Sequence, residues 1–311
     1  MQTPIIYYPL KVLCIDDDPS ILEILKSNLD KHYSVSTFSS ANEVLSQLDK
    51  IYSKPTIEEY FKKIINKSGN DEGSLQLELK IEEITDLSET HSNHEKSCII
   101  ICDYRMPDIN GIEFFKKLAH LNVKKILLTE HQEYQEVLSA FNSGTIDLFL
   151  LKSDENLMTN LLNGIKNLSE EYFLDSTHFI KESIELEKDL PLSDTTFEKF
   201  FQNLLKEYNI TEHYLADENG SFLLINARGE RYCLVIHTDN SLDKFTNLYS
   251  EPDFDYFTQQ ISKRQKIPFF GIKVDPTKIE LNQWNNFLYT PQVLNGKDIY
   301  YYHILKYNTN I

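Results

Sequence analysis

The first half of the chain switches repeatedly between short apolar runs and amphipathic stretches. Lys11–Ile15 is apolar and then breaks into Asp16, Asp17, Asp18 and Pro19. From Ser20, the residues Ile21, Leu22, Ile24, Leu25 and Leu29 recur at helical spacing. Residues 33–38 alternate with period two, as a half-buried strand does. Ser40 with Glu43 reads as a capping box opening a helix whose stripe is Val44, Leu45 and Leu48. Further strands are predicted over 98–103, 124–129 and 146–152, and further helices over 112–121, 132–143 and 155–168. Strands that alternate with helices predict a doubly wound parallel sheet with right-handed crossovers. This gives a five-stranded α/β domain over residues 1–170.

Two stretches depart from that rhythm. Residues 50–96 interrupt it as an insertion, with Ile57, Tyr60, Phe61, Ile64 and Ile65 at helical spacing, a polar break at 70–74, and a second helix predicted over 75–84. Residues 171–195 are polar and charged and read as a helical linker. Thr195 and Glu198 then form a capping box ahead of a stripe of Phe197, Phe200, Phe201, Leu204, Leu205 and Tyr208.

Beyond it the period becomes two. Strands are predicted over 213–217, 221–226 and 231–238, joined by Glu218-Asn219-Gly220 and Arg228-Gly229 turns. Helices follow over 242–248 and 253–263. Strands follow over 267–274, over 284–294 with a break near Pro291, and over 298–307. Residues 196–311 therefore predict an α+β domain with an antiparallel sheet. Strand alternation sends Tyr300 and Tyr302 to one face and Tyr301 and His303 to the other.

Composition narrows the function classes. A length of 311 residues suits two domains, and the formal net charge is −17. Such acidity disfavours broad electrostatic binding to nucleic acid or anionic lipid. Cys14, Cys98, Cys102 and Cys233 have no zinc spacing; the first three sit in apolar runs, as buried reduced thiols do. No leader pattern and no apolar run approaching about 20 residues is visible. The expectation is a soluble, cytoplasmic protein without membrane contact.

Chemistry gathers at the strand ends. The first strand ends in Asp16 and Asp17, the third in Asp103, the fourth in Thr129 and the fifth in Lys152. In an open parallel sheet these ends share one edge, where ligands bind. Three carboxylates there repel one another unless a hard cation sits among them, and Mg²⁺ suits oxygen ligands. A hydroxyl and an ammonium then complete a place for an oxyanion. The residues read as a Mg²⁺-assisted phosphoryl site with Asp103 as the nucleophile. Taken singly, Asp16 and Asp17 fit the acids of a helix N-terminus, and Thr129 and Lys152 fit ordinary strand-end polar residues. The combination is what carries the chemistry.

The ordered set Asp16-Asp17, then D-x-x-M-P-x-x-x-G over Asp103–Gly111, then Thr129, then Lys152, resembles the receiver domain of two-component response regulators. The resemblance implies a flavodoxin-like fold and phosphorylation of Asp103. It implies that Asp17 binds Mg²⁺ directly, Asp16 through water, and the Arg105 backbone carbonyl as a further ligand. Thr129 would hydrogen-bond the phosphoryl group, Lys152 would pair with it, and Phe149 would be the switch aromatic.

Three features depart from the family pattern. Glu130 stands where a small residue follows the switch threonine. Ser153 stands where proline follows the lysine. The 50–96 insertion lengthens the stretch between Asp17 and Asp103.

The implied partner is a sensor histidine kinase, and the implied role is phosphorelay signalling with no enzymatic output. A homodimer is compatible with the last receiver helix, where Leu157, Leu161, Ile165, Leu168 and Tyr172 form a stripe. For the second domain the leading expectation is protein interaction or dimerisation. The alternatives for it are a transcription regulator binding nucleic acid through the tyrosine-rich sheet and the residues Arg228, Arg231, Lys263, Arg264 and Lys266, and, least favoured, an enzyme; for the first domain, Glu130 and Ser153 leave the alternative of a degenerate receiver acting as a phosphorylation-independent adaptor. No catalytic motif marks the second domain.

Overall fold

Buried apolar runs become strands, and each polar break becomes a crossover. The computed structural model describes residues 3–51, 81–89, 97–130, 134–183, 191–272 and 274–306. It divides into two units. One holds the described parts of Tyr8–Phe61 and Thr90–Ser176, and the other those of Met1–Tyr7, Lys62–Glu89 and Thr177–Ile311.

The first unit contains β2 (Lys11–Ile15), preceded in the chain by β1 (Ile6–Tyr7), then α1 (Pro19–Leu29), β3 (Val35–Phe38) and α2 (Ala41–Ile51). It continues with β4 (Ser97–Asp103), α3 (Gly111–Lys117), β5 (Lys124–Thr129), α4 (Tyr134–Asn142), β6 (Leu148–Leu151) and most of α5 (Leu157–Ser183). The sheet is parallel, in the order β3-β2-β4-β5-β6. This is the doubly wound, flavodoxin-like order, with the strand direction of travel reversing between β2 and β4. The middles of the central strands are apolar: Val12, Ile99, Ile100, Ile101 and Ile126 are buried. Strands covered on both faces read as continuous apolar runs for this reason.

The second unit is built on a six-stranded antiparallel sheet in the order β1-β7-β8-β9-β13-β12. Its elements are α6 (Thr195–Glu207), β7 (Ile210–Leu215), β8 (Phe222–Asn226), β9 (Arg231–His237), α7 (Asp239–Leu248), α8 (Asp255–Ser262), β10 (Ile267–Pro268), β11 (Leu288–Tyr289), β12 (Gln292–Asn295) and β13 (Ile299–Lys306). Alternation along β13 is obeyed. Tyr300 meets Phe197 and Tyr302 meets Phe200 on the α6 face, with ring centroids 5.3 and 4.6 Å apart. Tyr301 joins the opposite cluster around buried Trp284, and His303 stacks on Tyr289.

Several expectations need correction. The first domain does not run unbroken from residue 1, because β1 pairs with β7 and so belongs to the second unit's sheet. Ser40 does not cap α2 with Glu43. Its hydroxyl donates to Asp108 from the β4–α3 loop, and the same carboxylate accepts the Asn42 amide. The cap of α6 is Asp194 rather than Thr195, since the Asp194 side chain accepts from the Thr196 amide. Among its described residues the 267–274 run forms a strand only over Ile267–Pro268. Trp284 lies in a 3-10 helix, Leu281–Phe287, rather than in a strand, because its ring fills the core that Phe245, Tyr249, Phe257 and Phe270 surround. The helix predicted over 75–84 lies partly outside the described residues, and its end is the 3-10 helix Ile81–Ser88. The linker expected over 171–195 is α5 as far as Ser183.

Candidate functional site

Three strands deliver the acids and the base to one sheet edge. β2 ends at Ile15 and hands Asp16 and Asp17 to the loop before α1. Asp18 caps α1 by accepting from the Ser20 amide, with Pro19 in the first turn. β4 ends in Asp103, and its backbone continues on β5 through the Tyr104 amide, 2.8 Å from the Leu128 carbonyl. The Gly111 amide returns to the Tyr104 carbonyl at 2.9 Å. A Cβ on Gly111 would lie 2.5 Å from the Asp103 carbonyl oxygen, so only glycine lets α3 begin this close to the acceptor strand. Asn110 caps α3 by accepting from the Glu113 amide.

Asp16, Asp17 and Asp103 each offer a carboxylate oxygen, and these oxygens lie within 4.8 Å of one another. Asp16 and Asp103 are buried and Asp17 is exposed. Lys152 reaches in from the end of β6, with Nζ 2.8 Å from Asp16 Oδ2 and 2.7 Å from Asp103 Oδ1. The other oxygen of Asp16 accepts the Asp18 amide at 3.0 Å. Burial pushes the Asp103 carboxyl above the usual carboxylate range, with help from Asp16 and against the pull of Lys152. Burial works against the Lys152 charge, yet Asp103 and Asp16 hold its pKa above that of a free lysine. The cluster is thus short of positive charge and rich in oxygen donors, which is the donor set a hard divalent cation takes.

The remaining predicted residues fall around this centre. Thr129 is buried at the end of β5, and its hydroxyl donates to the Glu130 carbonyl at 3.1 Å. Lys152 is set by its own amide, 2.9 Å from the Thr129 carbonyl. Arg105 sits in the loop after β4 with its side chain exposed. Phe149 is not in the acidic cluster. It is half-buried on β6, edge-on to Tyr134 and Phe141 of α4 at 6.1 and 5.8 Å. Glu130 is exposed, so it stands in water at the strand end. No peptide bond among the described residues is cis, the Lys152–Ser153 bond included. Cys102, next to the acceptor, is held as a neutral thiol by burial first and by Asp103 second.

Two participants escaped the sequence reading. Asp108 clamps the β4–α3 loop to the start of α2 and is held below the usual carboxylate range by Ser40, Asn42 and Ile109, which together outweigh the effect of burial. The Tyr104 hydroxyl, one residue past the acceptor, donates to Glu136 on α4. Both partners are remote in sequence, so no local pattern announces them.

The second unit offers less. Tyr300 and Tyr301 are buried, so β13 presents no open platform of these two rings for stacking bases. Arg264 is engaged by Asp239 and Asp243 at 2.7 Å each, and Arg231 lies 3.8 Å from Glu89. Among the described residues no helix is long and apolar enough to cross a membrane.

Comparison with known proteins bears on the fold. No curated protein matches the chain. The response regulator LqsR of Legionella pneumophila is similar in structure over 99% of this chain and 91% of its own, with a TM-score of 0.73 and 22% identity. A response regulator receiver domain protein of Clostridium thermocellum covers 53% of this chain and 98% of its own, with a TM-score of 0.35 and 20% identity. The response regulator TrrA of Thermotoga maritima, solved in complex with Mg(2+)-BeF, covers 51% of this chain and 98% of its own, with a TM-score of 0.32 and 23% identity. Residues 53–163 match the family model of the response regulator receiver domain, a span that holds Asp103, Thr129 and Lys152 but begins after Asp16 and Asp17. The chain thus matches the receiver-domain family model over residues 53–163, and its fold is similar to that of a solved response regulator.

Proposed function

We propose that the chain is a phosphorelay response regulator that accepts a phosphoryl group on Asp103. The observation that carries this reading is the bridge that Lys152 makes between the buried carboxylates of Asp103 and Asp16, with Asp17 alongside. A carboxylate oxygen of Asp103 attacks the phosphorus of a phosphohistidine on a sensor kinase. The P–N bond breaks, the histidine nitrogen keeps the electron pair, and Asp103 becomes an acyl phosphate. Asp16, Asp17, Asp103 and the Arg105 carbonyl would hold Mg²⁺, which when bound neutralises charge on the transferring oxygens. Lys152 exchanges part of its contact with Asp103 for one with the new phosphoryl oxygens. The Thr129 hydroxyl turns from the Glu130 carbonyl to a phosphoryl oxygen, and Phe149 repacks beneath α4.

Exposure of Glu130 supports a working acceptor over the degenerate-adaptor reading, because its charge is solvated rather than aimed at the acyl phosphate. In this reading the second unit passes the signal on through a protein partner or a second copy of the chain. The burial of Tyr300 and Tyr301 and the pairing of Arg231 and Arg264 count against nucleic acid. Incubation with acetyl phosphate and millimolar Mg²⁺ tests the acceptor. The wild type should gain one phosphate that Asp103→Asn does not, and equal labelling of the two would overturn the assignment.

A further inference from the structure

Tyr104 directly follows the acceptor Asp103, and its backbone is fixed on both sides. Its amide pairs with Leu128 at 2.8 Å and its carbonyl accepts from Gly111 at 2.9 Å. The root of the ring is thereby fixed to the end of β4. Its hydroxyl donates to the carboxylate of Glu136 in α4. That helix is lightly held: of its nine residues, only Val137 and Ala140 are buried. On the side facing α3 it borders a polar cleft of about 200 Å³ lined by Glu113, Lys116, Glu136 and Ser139, so no packed core resists its displacement there. The same helix carries Tyr134 and Phe141, the two rings against which Phe149 rests.

We infer that the Tyr104–Glu136 hydrogen bond is a latch. It ties α4 to the backbone that bears the acceptor and opposes the rearrangement that phosphorylation brings about. The inference rests on Asp103 being the phosphoryl acceptor. The hydroxyl–carboxylate bond is charge-assisted, and a helix held by so few buried side chains feels its loss. Ligands that favour the rearranged state then bind more tightly, because less of their binding free energy is consumed in breaking the latch.

The test uses the full chain and two readouts. The first is affinity for fluoroberyllate in millimolar Mg²⁺, and the second is amide hydrogen exchange over residues 134–142 without either ligand. Tyr104→Phe keeps the ring and removes the donor, while Glu136→Ala removes the acceptor. Each variant should bind fluoroberyllate about fivefold more tightly than the wild type and exchange its α4 amides faster, and the double variant should add nothing further. Wild-type affinity and wild-type exchange in Tyr104→Phe would overturn the latch. If the wild type itself binds no fluoroberyllate, the acceptor assignment is what has failed. The exchange data then decide the latch alone, with faster α4 exchange supporting it and unchanged exchange removing it.

Discussion

The ammonium of Lys152 stands 2.7 Å from Oδ1 of Asp103, and no more than a fifth of either side chain is open to solvent. Its second bond, to Asp16, makes it the counter-charge for two buried carboxylates at once. Removing it leaves those charges facing each other and Asp17. Lys152→Ala should therefore lose phosphoryl labelling and about 3 kcal/mol of stability in metal-free buffer, the scale for breaking a buried pair. Millimolar Mg²⁺ should restore part of that stability, because it binds the folded cluster and not the unfolded chain. Adding Asp103→Asn to the variant should also restore part of it by removing one of the repelling charges. Urea unfolding with and without Mg²⁺ measures both, and a variant as stable as the wild type in metal-free buffer would remove Lys152 from this role.

His213 gives the second unit a pH dependence. Its ring is buried, with Nε2 2.9 Å from the Pro4 carbonyl, and burial pushes its pKa down to about 4. The unfolded chain binds the proton near pH 6.5, so the unfolded state holds more protons between these values. The stability contribution is complete above about pH 6.5 and is lost as pH falls toward about 4, at up to about 1.4 kcal/mol per pH unit. His237 is lowered by burial as well and adds a contribution of the same sign. His213→Gln keeps an amide donor for Pro4 and cannot titrate. Its stability should fall less than that of the wild type between pH 7 and pH 5, as followed by the fluorescence of Trp284, the single tryptophan.

The receiver was legible because its signals are local or ordered. Four apolar runs each end in a polar residue, and period and order alone place Asp16, Asp17, Asp103 and Lys152 on one edge. What stayed hidden is carried by long-range pairing. β1 is two residues long and has no periodicity of its own, and its partner Tyr214 lies more than two hundred positions away. Asp108 looks like a loop acid until Ser40 and Asn42 are brought beside it. Trp284 sits in a run that reads as a strand by composition, yet the cluster around its ring bends that run into a 3-10 helix. In each case packing overrides local preference.

Asp194 joins three elements of the second unit. It caps α6, accepts the Lys297 amide in the β12–β13 hairpin, and accepts from the Tyr300 hydroxyl at 3.1 Å. Burial alone would raise its pKa, but these donors hold the carboxyl below its usual range. Asp194→Ala removes a cap and strands two donors, a cost of about 3 kcal/mol from the cap and the unpaired groups together. Gly296→Ala should destabilise the same corner, because its Cβ would collide with Asp194 Oδ2. Urea midpoints measure both. A neutral Asp194→Ala variant would show that the corner is held by apolar packing alone.

Ile6 makes the last prediction, which links the first residues of the chain to the last domain. It is fully buried in β1 and pairs with Tyr214 of β7, while the neighbouring Ile5 carbonyl accepts the Leu215 amide at 2.9 Å. Gln202 of α6 donates to Thr3 at 2.8 Å, so this segment is tied to both the sheet and the helix of the second unit. Ile6→Ala deletes buried volume in that unit and should cost about 2–5 kcal/mol, depending on how far the site collapses. The loss should appear in the unfolding transition reported by Trp284, which shares the unit. Wild-type fluoroberyllate binding by the same variant under native conditions should show that the acceptor edge is intact. An unchanged Trp284 transition would mean that β1 adds a strand to the sheet without adding to its stability.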